Sequence, residues 1–229
     1  MHEPLLECRS LTKRYADRIV LRDINLHLDG GERLALTGPS GSGKTTLLNC
    51  LGGIDRPDSG QILLFGKSIE TLPPEELALL RRSRIGTIFQ FFHLLPTLSV
   101  RENVEFPLQL MGWPPAERAR RSEALLERVG MLHRASAFPA HISGGEMQRT
   151  AIARALAPGP PLLLADEPTG NLDSANGTVV LDLLREMTQE TGTALVLVTH
   201  SAEAAAICHR TLRMRDGSFG EDTRPLPPS

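Results

Sequence analysis

The segment Gly38-Pro39-Ser40-Gly41-Ser42-Gly43-Lys44-Thr45 restricts what this chain can fold into more than any other stretch of it. It satisfies the pattern G-x-x-x-x-G-K-[ST], and it lies between an apolar strand, Arg33–Thr37, and a helix that starts near Lys44. Glycines let the backbone turn its N–H groups inward around phosphate oxygens, and the helix N-terminus adds favourable potential for anions. Lys44 supplies a mobile cation for the β- and γ-phosphates, and the Thr45 hydroxyl is placed to ligate Mg2+. Thr46 follows on the same helix and is grouped with the nucleotide-binding residues. Taken alone, the segment implies a nucleoside triphosphate and nothing about its use.

A second segment gives that nucleotide a chemistry. Leu162-Leu163-Leu164-Ala165 is an apolar strand that ends in Asp166-Glu167. Neighbouring strand side chains point in opposite directions, but at a strand end both can reach one pocket. Asp166 would hold the metal, directly or through its water, and Glu167 would orient and deprotonate the water that attacks the γ-phosphate.

The texture of the chain changes along its length. Ile24-Asn25-Leu26-His27-Leu28 alternates with period two, Gly30-Gly31 makes a turn, and a strand Gln61–Phe65 follows the turn-rich Pro57-Asp58-Ser59-Gly60. Pro73–Arg82 predicts a helix and Ile85–Phe89 a buried strand. From Phe91 to about Pro158 the pattern is helical: Val100–Met111, Pro114–Val129 with proline near its first turn, and Gly145–Leu156. The last third alternates strand and helix over Leu162–Asp166, Ser174–Thr191, Ala194–Thr199, Ala202–His209 and Thr211–Arg215, which predicts parallel strands covered by helices. The expectation is a single α/β domain. Residues 1–90 and 159–217 make the nucleotide-binding core and a small antiparallel β subdomain, 91–158 an inserted α-helical subdomain, and 218–229 a tail whose Pro-rich end, Thr223–Ser229, frays.

Composition excludes several classes. With 229 residues, 41% of them hydrophobic, the chain can bury a sizeable core, yet its apolar runs Leu162–Ala165 and Ala194–Val198 suit buried strands and are too short to cross a bilayer. Glu3 and Pro4 open a segment without the apolar centre of a signal peptide, so a cytosolic protein is expected. Net charge is −2, which gives no electrostatic case for nucleic acid as a partner. The clusters Arg81, Arg82, Arg84 and Arg118, Arg120, Arg121 read as solvated helix faces. Cys8, Cys50 and Cys208 are dispersed, as reduced thiols in a cytosol would be.

Ile142-Ser143-Gly144-Gly145-Glu146-Met147-Gln148-Arg149 precedes the helical run Thr150–Leu156. It resembles the signature motif of ABC ATPases, commonly Leu-Ser-Gly-Gly-Glu-Gln-Gln-Arg, with Ile142 and Met147 as departures conservative in shape. Ser-Gly-Gly before a helix is also a good N-cap, but a cap alone does not explain its place between a phosphate-binding loop and a strand ending in Asp-Glu. The resemblance covers nearly the whole chain and implies a P-loop NTPase (RecA-like) core. It further implies that Tyr15 stacks on adenine, Gln90 senses metal and attacking water, His200 contacts the γ-phosphate, and Asn171-Leu172-Asp173 crosses a dimer interface. Two copies would sandwich two ATP molecules head to tail, one chain's loop facing the other's Ser143, Gly144 and Gly145. A helix N-terminus with glycine N–H groups suits a γ-phosphate.

Phe89–Leu98, Glu102-Asn103-Val104 and Ala165–Asp173 resemble the branch that serves lipoprotein release and macrolide-type export, with a cell-division subunit as a relative. The resemblance implies an ATPase at the cytoplasmic face of the inner membrane that powers a separate membrane-spanning permease. A division or envelope-signalling ATPase that translocates nothing is the alternative. Phe91–Leu98 is either the seat of the permease's coupling helix or core packing. Ser201 stands where many relatives carry Asp. A DNA-repair type would carry a long coiled coil or zinc module between its ATP motifs, a translation-associated type a second cassette, and a dead regulatory module would lack Lys44, Glu167 or His200.

Overall fold

Strands buried on both faces read as continuous apolar runs, whereas strands of a one-sided sheet alternate. Both kinds are present in the computed structural model, which describes residues 4–223. In chain order the elements are β1 (Leu6–Tyr15), β2 (Arg18–Leu28), β3 (Arg33–Thr37), α1 (Lys44–Leu51), β4 (Ser59–Leu64), β5 (Lys67–Ser68), α2 (Pro74–Arg84) and β6 (Ile85–Ile88). There follow α3 (Val100–Leu110), α4 (Pro115–Arg128), α5 (Gly144–Leu156), β7 (Leu162–Asp166), α6 (Ser174–Thr191), β8 (Ala194–Val198), α7 (Ala202–Ala206), β9 (Arg210–Arg215) and β10 (Ser218–Thr223).

The larger sheet has the order β10-β9-β3-β8-β7-β6, parallel from β9 to β6. Side-chain alternation divides the interior in two. Leu34, Leu36, Leu162, Leu164, Val196 and Val198 join α1 and the antiparallel sheet β2-β1-β4-β5 in one core. Ala35, Leu163, Ala165, Leu195 and Leu197 face the other way, toward apolar residues of α3, α4, α5 and α6. The carboxyl ends of β3, β6, β7 and β8 therefore open at one edge between two cores, where open α/β sheets bind ligands.

Caps set the helix starts. Ser99 and Glu102 form a reciprocal capping box on α3, Ser143 and Glu146 another on α5, and Asp173 accepts from the Asn176 N–H of α6 at 2.8 Å. Glycine at φ 65°, Gly192, ends α6.

Register shifts after Cys8, Leu11 and Lys13 break the alternation of β1, so no strand is legible there in the sequence. Three expectations need correction. The tail expected from 218 onward is a strand as far as Thr223: Asp216 and Gly217, at φ 50° and 82°, reverse the chain and β10 pairs antiparallel with β9. Phe219 packs against the core, and the sequence around it carries no periodic apolar signal. The Pro-rich end, 224–229, and Glu3 lie outside the described residues. The helix expected over Ala202–His209 ends at Ala206. Finally, Arg121 is not solvated: it is half-buried and donates to the Leu156 and Ala157 carbonyls, 3.2 Å each, where α5 needs acceptors satisfied.

Candidate active site

A cleft of about 660 Å³ lies at the carboxyl ends of the strands, lined by Gly38, Pro39, Ser40, Gly41, Gly43, Lys44, Thr45, Thr46, Tyr15, Gln90, Asp166, Glu167 and His200. Thirteen of the residues singled out in the sequence thus converge, although 185 positions separate Tyr15 from His200. Backbone geometry explains the glycines. At Gly38, φ is 143°, and a Cβ would sit 2.1 Å from the Met214 carbonyl oxygen. At Gly43, φ is 104°, and a Cβ would sit 2.8 Å from the Val20 carbonyl oxygen. Any side chain at either position would push the loop off β2 and β9.

Lys44 begins α1 and is almost wholly buried, its ammonium donating to the carbonyls of Gly38 (2.8 Å) and Pro39 (2.9 Å). Those carbonyls hold the cation over the loop, and its third proton is left for a ligand. Ser42, whose hydroxyl oxygen is buried without a hydrogen-bond partner, lies in the same loop. Removing the Lys44 charge should weaken ATP binding strongly. A charge-assisted hydrogen bond is worth about 1.5–3 kcal/mol, so Lys44→Ala should raise the Kd for ATP roughly 10–150-fold, read by equilibrium titration with a fluorescent nucleotide.

Asp166 ends β7 and Glu167 follows at φ 45°, a left-handed conformation that turns its carboxylate into the cleft. The Glu167 N–H donates to Val198 O at 2.9 Å, which ties this turn to the end of β8. Burial pushes the Asp166 carboxyl above its usual range; a hydrogen bond from the Thr45 hydroxyl opposes that, and the Glu167 charge adds to it. A carboxylate made costly in this way is stabilised when a cation arrives. His200, just past β8, points its Nδ1 at Glu167 Oε1, 2.8 Å away, with most of its ring exposed. Ser201 caps the following helix, accepting from the Ala204 N–H at 3.2 Å.

Gln90 follows β6 and lines the cleft. Its carbonyl accepts from Asn171 Nδ2 at 2.9 Å. The next turn, Phe92 and His93 at φ 62° and 48°, is held by the half-buried Arg154 of α5, which donates to both carbonyls at 2.8 and 2.5 Å. Burial lowers the Arg154 pKa to about 10, the cost of taking a guanidinium out of water.

Ser143, Gly144 and Gly145 do not line this cleft. Gly144 approaches Leu172 and the Asn171 carbonyl, and Gly145 approaches Asn176. Asp173, expected at an interface, caps α6, with both carboxylate oxygens on Asn176. Sequence reasoning missed Arg18 and Val20 of the β1–β2 hairpin, which line the cleft beside Tyr15. No local pattern marks them; they arrive there because β2 pairs with β1.

A protein-family model described as ABC transporter matches residues 21–170. The chain belongs to the ABC transporter family. The lipoprotein-releasing system ATP-binding protein LolD of Shewanella sp. (strain MR-4) is 45% identical over 221 residues, covering 95% of this chain and 96% of that protein. The pyoverdine export ATP-binding/permease protein PvdT of Pseudomonas fluorescens is 45% identical over all of this chain, and so is the macrolide export protein MacB of Sodalis glossinidius. The chain spans 36% of the length of each of these two export proteins. The ATP-binding cassette MJ0796, solved as a dimer after hydrolysis with ADP and Pi bound, superposes with TM-score 0.88 at 36% identity, covering 96% of this chain and 98% of that one. The expected branch is borne out by these relatives, and the fold is that of an ABC ATPase cassette. As a member of the family, the chain binds and hydrolyses ATP.

Proposed function

We propose that this cassette is the ATP-driven motor of a membrane machine for export or lipoprotein release, working as a pair at the cytoplasmic face of the membrane. The observation that carries the reading is that the cleft gathers Lys44, Thr45, Asp166, Glu167 and His200 but lies apart from the N-terminus of its own α5. A second copy, placed head to tail, would bring Ser143, Gly144 and Gly145 to the open side. The Ser143 Oγ accepts from the Glu146 N–H at 3.3 Å, which leaves its proton to donate to a phosphate oxygen. Relatives support the pairing, since MJ0796 was solved as a dimer.

The donor set fits Mg2+. Thr45 and Asp166 offer adjacent hard oxygens, and among the described residues there is no cluster of three or more His, Cys, Asp or Glu that would complete a protein-only metal site. Mg2+ usually takes one or two carboxylates and fills its shell with phosphate and water. When bound, the metal would neutralise charge on the β- and γ-phosphates. Lys44 and the loop N–H groups then hold the phosphates. Tyr15 stacks on adenine. Gln90 and Glu167 flank the attacking water, Glu167 takes its proton, and His200 bonds Glu167 through Nδ1 and reaches toward the γ-phosphate through its other nitrogen.

Among the described residues no helix is long and apolar enough to cross a membrane. A groove of about 530 Å³ suits the docking of a membrane-spanning partner. The groove is lined by Ile85, Phe89, Leu95, Phe106 and Leu110, and by arginines including Arg82. It adjoins the segment Phe91–Leu98, of which Phe91 is 68% exposed and open to a partner while Leu94 packs against the core. Leu110→Glu puts a charge into the groove and leaves the cleft untouched. The variant should keep its ATPase rate yet no longer sediment with membranes containing the native partner. Sedimentation equal to the native chain would place docking elsewhere.

A further inference from the structure

We propose that Asp55 and Lys13 are positioning residues for nucleotide binding, which together hold the Tyr15 ring at the mouth of the cleft as a preformed platform for the base. The inference rests on the reading of Tyr15 as the stacking residue.

The two residues grip the ring from different sides. Tyr15 ends β1 and is 48% exposed, so half of its surface is open to a ligand. Its hydroxyl donates to Asp55 Oδ2. The other carboxylate oxygen, Oδ1, takes Lys13 Nζ at 2.8 Å, and the same ammonium donates to the Arg56 carbonyl at 2.6 Å. From there it lies 5.1 Å from the centre of the Tyr15 ring, within range of a cation–π contact. The Thr46 hydroxyl also reaches the Tyr15 oxygen. A free surface tyrosine would sample several rotamers and lose that freedom when a base bound. Here the loss is met on folding.

Position relative to the phosphates is fixed by the same helix. α1 starts at Lys44, and the Asp55 N–H donates to Asn49 O at 3.2 Å just beyond its end. Asp55 and the phosphate-binding loop thus sit at opposite ends of one rigid element. The triphosphate held at one end and the ring held from the other define a single span, which a nucleotide must match. Asp55 follows the exposed Ile54 in a loop, and no motif marks it.

Tyr15 is the chain's only tyrosine, so its phenol can be titrated alone by ultraviolet absorbance. The hydrogen bond to the Asp55 carboxylate holds that phenol above its usual value of 10.0, with burial and the Asp55 charge adding and the Lys13 charge opposing. Two variants should therefore move it in opposite directions. Asp55→Asn should lower the midpoint, and Lys13→Met should raise it, with fluorescence of the single Trp113 confirming that each stays folded. In steady-state kinetics Tyr15→Ala should raise the KM for ATP roughly tenfold, and Asp55→Asn about threefold, with kcat changing less than KM. Tyr15→Phe, which keeps the ring and loses its tether, should match Asp55→Asn. If Asp55→Asn leaves the midpoint unmoved, the grip does not exist in solution and the proposal fails. If the midpoint moves but only Tyr15→Ala raises KM, the ring binds without being held; the proposal fails and the stacking reading stands. If Tyr15→Ala itself leaves KM unchanged, the stacking reading fails first and the proposal with it.

Discussion

Glu167→Gln should bind ATP as tightly as the native chain and hydrolyse it about 10²–10⁴-fold more slowly, the usual contribution of a general base. The substitution keeps the shape of the side chain, and a Gln carbonyl can still accept from His200 Nδ1, so the contact at 2.8 Å can persist. What it removes is the site for the water's proton. Because opening would follow hydrolysis, the variant should also accumulate as an ATP-bound dimer, visible by size-exclusion chromatography with ATP and Mg2+ and absent with ADP. Turnover at the native rate would remove Glu167 from the base role and leave its φ of 45° without a catalytic reason.

The second large effect concerns the N-terminus of α5. Gly144→Asp should leave ATP binding to the single chain intact and abolish hydrolysis. The position is chosen on steric grounds. A Cβ at Gly144 has its nearest neighbours at 3.7 Å, ordinary contact, whereas one at Gly145 would fall 2.4 Å from Asn176 Oδ1. A substitution at Gly145 would displace the start of α6, so lost activity there could be misfolding. An acid in the first helical turn is favourable by about 0.3–1 kcal/mol, and the fold should hold. Against a γ-phosphate brought in by a second copy, the same charge repels. Loss of nucleotide affinity in the isolated chain would instead show that α5 serves its own cleft.

Much of this was legible in the sequence, and the parts that were not share a cause. β7 and α6 fall where the residues put them, because a run of leucines, the Asp173 cap and Gly192 are local signals. The site was legible for the same reason: each of its segments carries its chemistry within a few residues. β1 was obscured by bulges, and β10 by having little apolar surface, its existence resting on backbone pairing with β9. Arg121 reads as a surface charge because nothing local tells an arginine that it will cap a distant helix, and Arg154, which clasps a distant turn, is equally unmarked. Arg18 and Asp55 reach the cleft or its rim through pairings that only the folded chain makes.

The shared site is tested most directly by mixing two inactive chains. Lys44→Ala spoils the loop and Gly144→Asp spoils the helix N-terminus, so neither homodimer should turn over ATP. In a heterodimer one composite site carries both defects and the other carries neither. ATPase activity should therefore reappear on mixing, rise with the fraction of heterodimer measured by cross-linking, and vanish when both substitutions are placed in one chain and mixed with itself. A mixture that forms heterodimers and stays as inactive as its parents, or a Gly144→Asp chain that hydrolyses ATP at the native rate alone, would contradict a site completed by a second copy.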